Sequence, residues 1–319
     1  MRSLTKLLLT LLLLASPLCD GADFRISFLQ ETNQLRETCG LLRSAGFSED
    51  VVNSFNRLVQ YHNQGGNGVD VTKFPILQNG YYCFNGIADF TNRLTEYFSE
   101  THGKTTLVCF DVACLLMRGA GCEADRLYED FDSKRIINVT SERMVGPVAI
   151  ETFRLGNGLL FPPEWYNNLV GKPRSENETR LGLSLRSARS LSQDVTESDE
   201  SIHKTFSDYV KSVKRDGFIF PKRFQVVMVF YLDPKRHFMI ADHVLIAIPH
   251  DHLLLTIEKT SPTGPYVRGE FVEMQDLASY ASLSERKDTN NPEDPDYCSI
   301  VIVSMNERLI GIYRPRVRP

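Results

Sequence analysis

Two apolar runs follow one another in DHVLIAIPHDHLLLTIEK, residues 242–259, with a short polar stretch between them. Each run has the length of a β-strand and the polar stretch is typical of a tight turn, so the segment predicts a β-hairpin. A two-residue turn at positions 250 and 251 places His243 opposite Glu258. Opposed side chains point to the same face of a sheet and lie close enough to interact. The other face of the hairpin is apolar and carries Val244, Ile246, Ile248, Leu253, Leu255 and Ile257.

The sequence on either side predicts the rest of the fold. Extended patterns predict antiparallel strands at residues 224–232, 237–249, 252–259, 297–304 and 308–313, with a last turn at 305–307. Helical spacing of apolar residues predicts helices at residues 31–45, 49–62, 82–98, 107–117 and 200–215. Helices followed by strands indicate the α+β class, with N-terminal helices packed on a C-terminal antiparallel sheet. Residues 173–197 are polar and are predicted to form an exposed excursion.

The N-terminus has the layout of a secretory signal. Arg2 and Lys6 precede an apolar run at residues 7–15, and small residues follow. We therefore expect residues 1–21 to be a signal peptide and residues 22–319 to form one domain that is secreted, periplasmic or at the cell surface. The run is shorter than the roughly 20 residues that span a bilayer, so no stable membrane span is expected. A lipid anchor on Cys19 is disfavoured because Leu18 stands where a smaller residue is required.

The charge balance limits the class of partner. Loss of residues 1–21 removes two positive charges and one negative charge, which takes the formal net charge from -4 to -5. Binding to nucleic acid requires clustered Lys and Arg side chains that neutralise phosphates. A nucleic-acid partner is therefore not expected.

Six cysteines remain after the signal is removed. An even number in an exported protein permits disulfides, but their density is low for a chain of this size. Three of them are close enough in sequence to contain one bridge, and their spacing lacks the paired C-x-x-C elements of a structural zinc site. The six are Cys39, Cys83, Cys109, Cys114, Cys122 and Cys298.

Cys83 is the candidate nucleophile. It follows a turn sequence, NGYY at residues 79–82, and stands in the first turn of the helix predicted at 82–98. A helix N-terminus stabilises an anion and so favours the reactive thiolate, while its free N–H groups are suited to an oxyanion hole. The alternative interpretation is a buried, inert cysteine on the core side of that helix.

The candidate general base is His243, with Glu258 as the group that orients it. Two other interpretations stay open at this point. The pair is equally compatible with a structural histidine and a glutamate that ends a strand, and a register slip of one residue would separate them. A metal site is the second possibility, but no ligand run such as H-E-x-x-H is present, and we expect no bound metal. Its potential ligands are His237, Asp242, His250, Asp251 and His252.

Short patches of the sequence resemble a known group of enzymes. NGYYC at 79–83, ADHVLIAIP at 241–249 and LTIEK at 255–259, followed by GPY at 264–266, resemble an uncharacterised family of secreted bacterial proteins. That family is similar to the papain-like/NlpC–P60 cysteine hydrolases. The resemblance implies a papain-like fold with Cys83 as nucleophile, His243 as general base and Glu258 as orienting group. It also implies that Gln78 or Asn79 replaces the usual oxyanion-binding glutamine.

The leading prediction is a secreted cysteine hydrolase that cleaves amide bonds in peptides or cell-wall peptides without a cofactor. The first alternative is a non-catalytic secreted or envelope binding protein on the same scaffold, because glutamate is an unusual third member of such a triad. The second alternative is an envelope protein stabilised by disulfides. The sequence defines neither the substrate nor the oligomeric state.

Overall fold

The computed structural model describes residues 23–64, 77–90, 92, 109, 112, 113, 116, 195–215, 220–233, 238–260, 265–283 and 300–314. The predicted signal peptide with Cys19, most of the 173–197 segment, and Cys114, Cys122 and Cys298 lie outside these residues. The predictions made for them therefore stay predictions. No helix in the described part of the chain combines the length and the apolar character that a membrane crossing needs.

Four helices have defined bounds: α1 Thr32–Ser44, α2 Glu49–Gln64, α3 Asp199–Arg215 and α4 Met274–Leu283. The first three confirm the predicted helices at 31–45, 49–62 and 200–215. Their apolar residues recur every three or four positions, so one side of each helix is buried against the sheet. Residues 86–90 are also helical, as are the described residues between 109 and 116.

Nine strands form a single sheet in which every recorded pair is antiparallel. They are β1 Phe24–Ser27, β2 Leu77–Gln78, β3 Tyr81–Phe84, β4 Gln225–Asp233, β5 Phe238–His250, β6 Leu253–Lys259, β7 Tyr266–Phe271, β8 Ile300–Met305 and β9 Arg308–Tyr313. Their order across the sheet is β2-β3-β1-β7-β6-β5-β4-β8-β9. Helices together with an antiparallel sheet confirm the α+β class.

Both faces of the sheet are covered, and the two cores use alternate residues of the same strands. Face A, which carries Val244 and Ile246, packs against α1, α2 and α3. Face B, which carries Leu245 and Ala247, packs against α4 and the 86–90 segment. A strand that is buried on both sides is apolar throughout, which explains the uninterrupted runs in β5 and β6.

The register of the β5–β6 hairpin differs from the predicted one by two residues. The turn consists of Asp251 and His252, so His250 pairs with Leu253 and the recorded pairs end at Ile246 with Ile257. The prediction that His243 lies directly opposite Glu258 is therefore wrong. Because side chains alternate with a period of two, a shift of two residues leaves both on the same face, where they meet as diagonal neighbours.

A β-bulge stands immediately before His243. Val229 of β4 pairs with His243, but the next residue, Phe230, pairs with Ala241, so Asp242 is an extra residue in β5. The extra residue changes the phase of the alternation, which is why Met239 and Val244 both contribute to face A. A bulge also bends its strand and increases its twist. The strand is thus bent at the position that aims His243.

The segment around Cys83 is extended and is not the predicted start of a helix. Tyr81–Phe84 is strand β3, and helical structure begins only at residue 86. Aromatic residues at alternate positions explain the difference: Tyr82 and Phe84 pack on face B with Phe24, which favours a strand. Asn79 and Gly80 both have positive φ angles and form the tight turn between β2 and β3.

Candidate active site

His243 and Glu258 form a buried ion-paired hydrogen bond on face B. The imidazole Nε2 lies 2.6 Å from Oε2 of the Glu258 carboxylate. Both residues are almost fully buried, at 2% and 3% exposure. Burying a carboxylate is costly unless its oxygens accept hydrogen bonds, and the imidazole supplies one of them. The short hydrogen bond between two buried groups also holds the imidazole in a single orientation. The structure thus brings two of the predicted site residues together.

Tyr280 of α4 completes the coordination of the carboxylate. Its hydroxyl donates a hydrogen bond to Oε1 of Glu258, the oxygen that His243 does not use. The tyrosine ring is fixed between Phe90 and Phe271, with ring centroids 5.3 Å and 5.1 Å away. Both oxygens of Glu258 therefore have a donor. Tyr280 was not among the predicted site residues, because the sequence pattern did not predict α4.

The thiol that meets His243 is Cys109. Its side chain forms a hydrogen bond with the imidazole and interacts electrostatically with it. Because Glu258 occupies Nε2, the nitrogen left for the thiol is Nδ1. Cys109 is a free cysteine, partly exposed, in a helical stretch that packs against the core of face A. The chain of contacts is therefore Cys109, His243, Glu258 and Tyr280.

Electrostatics in this chain favour the protonated imidazole. Burial alone would lower the pKa of His243, but the Cys109 thiolate and the Glu258 carboxylate overcome this effect and raise the pKa well above its usual value. A raised pKa favours the protonated imidazole, which is the form that can give a proton to a leaving group.

Cys83 lies far from this group. Three strands, β1, β7 and β6, separate β3 from β5, which corresponds to about 19 Å at the usual strand spacing. Cys83 pairs with Arg25, whose side chain points to face A, whereas His243 points to face B. Cys83 is also disulfide-bonded and has no thiol. The assignment of Cys83 as the nucleophile that meets His243 is therefore wrong.

The surroundings of Cys83 form a separate ion-paired cluster. Arg25 and Arg268 both donate to the buried carboxylate of Glu270, and both guanidinium groups stack over the Tyr81 ring. Arg268 also reaches Glu37 of α1. These contacts join α1 to strands β1, β3 and β7, so we assign the cluster a structural role.

Gln78 and Asn79 do not approach the site either. Gln78 belongs to β2, the strand at the edge of the sheet, and Asn79 begins the turn that follows it. The Asn79 carbonyl accepts a hydrogen bond from the Gln34 amide of α1. The predicted oxyanion role of these two residues is therefore wrong, because five strand steps separate β2 from β5.

A second group of buried polar residues lies on face A. Lys259 is fully buried, and its ammonium lies 5.3 Å from the centroid of the Tyr266 ring. The ring of His62, also fully buried, meets the same tyrosine edge-on at 5.5 Å. Lys259 interacts electrostatically with Cys109. Lys259 was not among the site residues predicted from the sequence.

Of the residues weighed as metal ligands, His237 lies outside the described residues, so that prediction stays untested there. Among the side chains that the structure describes, no group of three His, Cys, Asp or Glu is placed to hold an ion. His250 is nearly half exposed at the hairpin turn, and its ring lies 3.9 Å from the more exposed Asp251 carboxylate.

A signal for Cys109 was present in the sequence. The predicted helix at 107–117 has Cys109 as its third residue, so it satisfies the criterion that selected Cys83, a cysteine in the first turn of an amphipathic helix. Only the tertiary structure separates the two, because it shows which cysteine lies next to His243.

Comparison of the chain with protein-family models, with curated proteins and with solved structures found no match.

Proposed function

We propose that this chain is an exported cysteine hydrolase of amide bonds with a papain-like arrangement of its site. Cys109 is the nucleophile, His243 the general base and acid, and Glu258 the orienting group. The observation that carries the proposal is the continuous contact from the Cys109 thiol through His243 to Glu258 and Tyr280. It retains the chemistry expected from the sequence and replaces the nucleophile.

The proposed reaction has two halves. The Cys109 thiolate attacks the amide carbonyl, and the proton held by His243 passes to the leaving amine as the C–N bond breaks, which leaves a thioester on Cys109. The neutral imidazole then takes a proton from a water molecule, and the resulting hydroxide attacks the thioester. The acid is released, and the proton returns the site to its starting state.

Glu258 and Tyr280 position the base. A carboxylate that accepts from the imidazole on one oxygen and from a phenol on the other has little freedom to rotate. The same carboxylate stabilises the imidazolium that exists before the proton reaches the leaving amine. Glutamate thus supplies both the orientation and the charge in this triad.

The disulfide at Cys83 supports the exported location, because disulfides persist in oxidising compartments. Together with the signal-like N-terminus, it favours a substrate outside the cytoplasm. Peptides and cell-wall peptides are the proposed substrates.

A binding protein without catalysis is the second candidate. The observation that favours it is the near-complete burial of His243, since a buried imidazole has little room to reach a leaving group. Cys109 is more exposed than His243. A substrate would therefore have to reach the site from the side of Cys109.

Amide hydrolysis separates these two candidates. Wild-type protein, C109A and C83S are incubated with a mixture of peptides and cell-wall stem peptides, and newly formed amines are identified by mass spectrometry. We expect cleavage by the wild type and by C83S and none by C109A. Cleavage that survives in C109A, or a wild type no more active than C109A, contradicts the proposed function.

A further inference from the structure

Lys259 stands beside the site on the opposite face of the sheet from Glu258. It is the last residue of β6 and directly follows Glu258, so the two side chains point in opposite directions. Glu258 points to α4, whereas Lys259 points to face A, where its ammonium lies over the ring of Tyr266 from β7. His62 of α2 meets the same ring edge-on. A fully buried lysine is rare in folded proteins.

The open end of the β5–β6 ladder explains how one thiol interacts with both faces. The recorded pairs between these strands end at Ile246 and Ile257, whereas β6 continues to pair with β7 through Lys259. In the described part of the chain, no pair between β5 and β6 is recorded beyond this point. Cys109 therefore interacts with His243 of face B and with Lys259 of face A.

We propose that Lys259 is a positioning residue that supplies a second positive charge to the Cys109 thiolate and so extends the reactivity of the site to acidic pH. The inference rests on the proposed function only in taking Cys109 as the nucleophile. Lys259 acts through the thiol and does not touch the reacting carbonyl.

The charges around the lysine define the pH range of this effect. The titratable groups that face it include Cys109, His62 of α2 and Tyr266 of β7. Burial lowers the pKa of Lys259 to about 7, with the Cys109 thiolate acting in the opposite direction. Burial and the charge of Lys259 lower the pKa of His62 to about 3, so that this imidazole is neutral and adds no competing charge. Lys259 is therefore charged below neutral pH and loses its charge above it.

The test is the rate at which iodoacetamide alkylates Cys109 between pH 5.5 and 9. It is measured by peptide mapping in the wild type, K259M and K259R, without reductant. Removing one favourable charge corresponds to roughly one pKa unit of thiolate stability, so K259M should be about tenfold slower than the wild type at pH 6. At pH 9 the alkylation rates of the two proteins should agree within about twofold. Lys259 of the wild type is then uncharged, like the methionine that replaces it in K259M. K259R, which keeps the charge, should retain the rate at pH 6.

A loss in K259M that is the same at every pH overturns the proposal, because altered packing would then be its cause. Equal rates in K259M and the wild type overturn it as well, and if wild-type Cys109 still reacts faster than Cys39 the proposed function survives. If wild-type Cys109 reacts no faster than Cys39, both proposals fail.

A second measurement leaves Lys259 in place. The ammonium is followed by NMR of protein labelled with ¹³C-lysine, in the wild type and in C109S. Loss of the thiolate should lower the titration midpoint of Lys259, because the charged form of the lysine loses its partner. An unchanged or higher midpoint in C109S contradicts the proposal, even if K259M fails to fold.

Discussion

Tyr280 and Tyr209 are buried tyrosines whose hydroxyls donate to different acceptors. Tyr280 donates to the Glu258 carboxylate, and Tyr209 donates to the Met228 sulfur at 3.1 Å. A hydrogen bond to a charged group is stronger than one to a thioether, so loss of the two hydroxyls should have different costs. The pair provides a matched control for the charged network.

Replacement of Tyr280 by phenylalanine should destabilise the fold by about 1.5–3 kcal/mol, because it leaves one oxygen of a buried carboxylate without its donor. Tyr209→Phe should cost less than about 1 kcal/mol. Urea denaturation measures both free energies of unfolding. Equal losses in the two variants would show that the Tyr280 hydroxyl does not stabilise a charged acceptor.

Lys259 gives the fold a specific dependence on pH. Its pKa is about 7 in the folded protein, and its ordinary value of 10.5 applies to the unfolded chain. Between pH 7 and pH 10.5 the unfolded chain therefore binds more protons than the folded protein. Stability then rises with pH across that window and is constant on either side. The free energy of unfolding of the wild type minus that of K259M should increase from pH 7 to 10.5, by at most about 1.4 kcal/mol per pH unit. A difference that does not change across the window contradicts a buried lysine of low pKa.

Among the elements, β5 depends on its bulge. Deletion of Asp242 joins Ala241 to His243 and makes the ladder with β4 regular, while Met239 and Val244 keep their common face. We therefore expect the deletion to fold, and to slow Cys109 alkylation by about tenfold because the bend that aims His243 is lost. Deletion of Leu245 is the control: it reverses the faces of the strand on one side, and no folded protein is expected. Circular dichroism and alkylation rates measure both, and an unchanged rate without Asp242 would show that the bulge does not aim the histidine.

Some features of the strands could be predicted from the sequence and others could not. The contact between His243 and Glu258 was predicted correctly although the register was wrong by two residues. Side chains alternate between the faces of a strand, so a shift of two residues leaves both on the same face. Strand β7 was missed because Arg268 and Glu270, both buried in ion pairs, interrupt its apolar pattern. Cys83 was assigned to a helix because the spacing of its neighbours fits a helix, whereas the aromatic packing of Tyr82 with Phe28 favours a strand. These outcomes depend on contacts between distant segments, which local patterns do not contain.

At the scale of the whole molecule, the disulfide at Cys83 and the site around Cys109 lie in different parts of the sheet. The disulfide at Cys83 lies on β3, with three strands between it and β5. Reduction should lower the free energy of unfolding by about 2–4 kcal/mol. The alkylation rate of Cys109 should stay within about twofold of its value in the oxidised protein, because folded β5 and β6 do not depend on the bridge. Urea denaturation with and without dithiothreitol and alkylation of C83S measure the two effects. A large loss of Cys109 reactivity in folded C83S would show that the two regions are coupled.

The α+β class and most of the central strands were predictable for the whole molecule, because hydrophobic period and turn chemistry are local properties. The identity of the nucleophile was not, because Cys83 and Cys109 satisfy the same local criterion. The order of strands across the sheet decides between them, and that order depends on the contacts of β1 and β7 with segments distant in sequence.

The most direct measurement compares the two free thiols that the structure describes, Cys39 and Cys109. Iodoacetamide labelling at pH 7 is followed by peptide mapping in the wild type and in His243→Ala, with buried Cys39, whose pKa is raised by burial, as the internal reference. We expect Cys109 to react at least about tenfold faster than Cys39 in the wild type, and to lose most of that advantage in His243→Ala. Equal, slow labelling of both cysteines in the wild type, or a Cys109 rate unaffected by loss of His243, would contradict the triad.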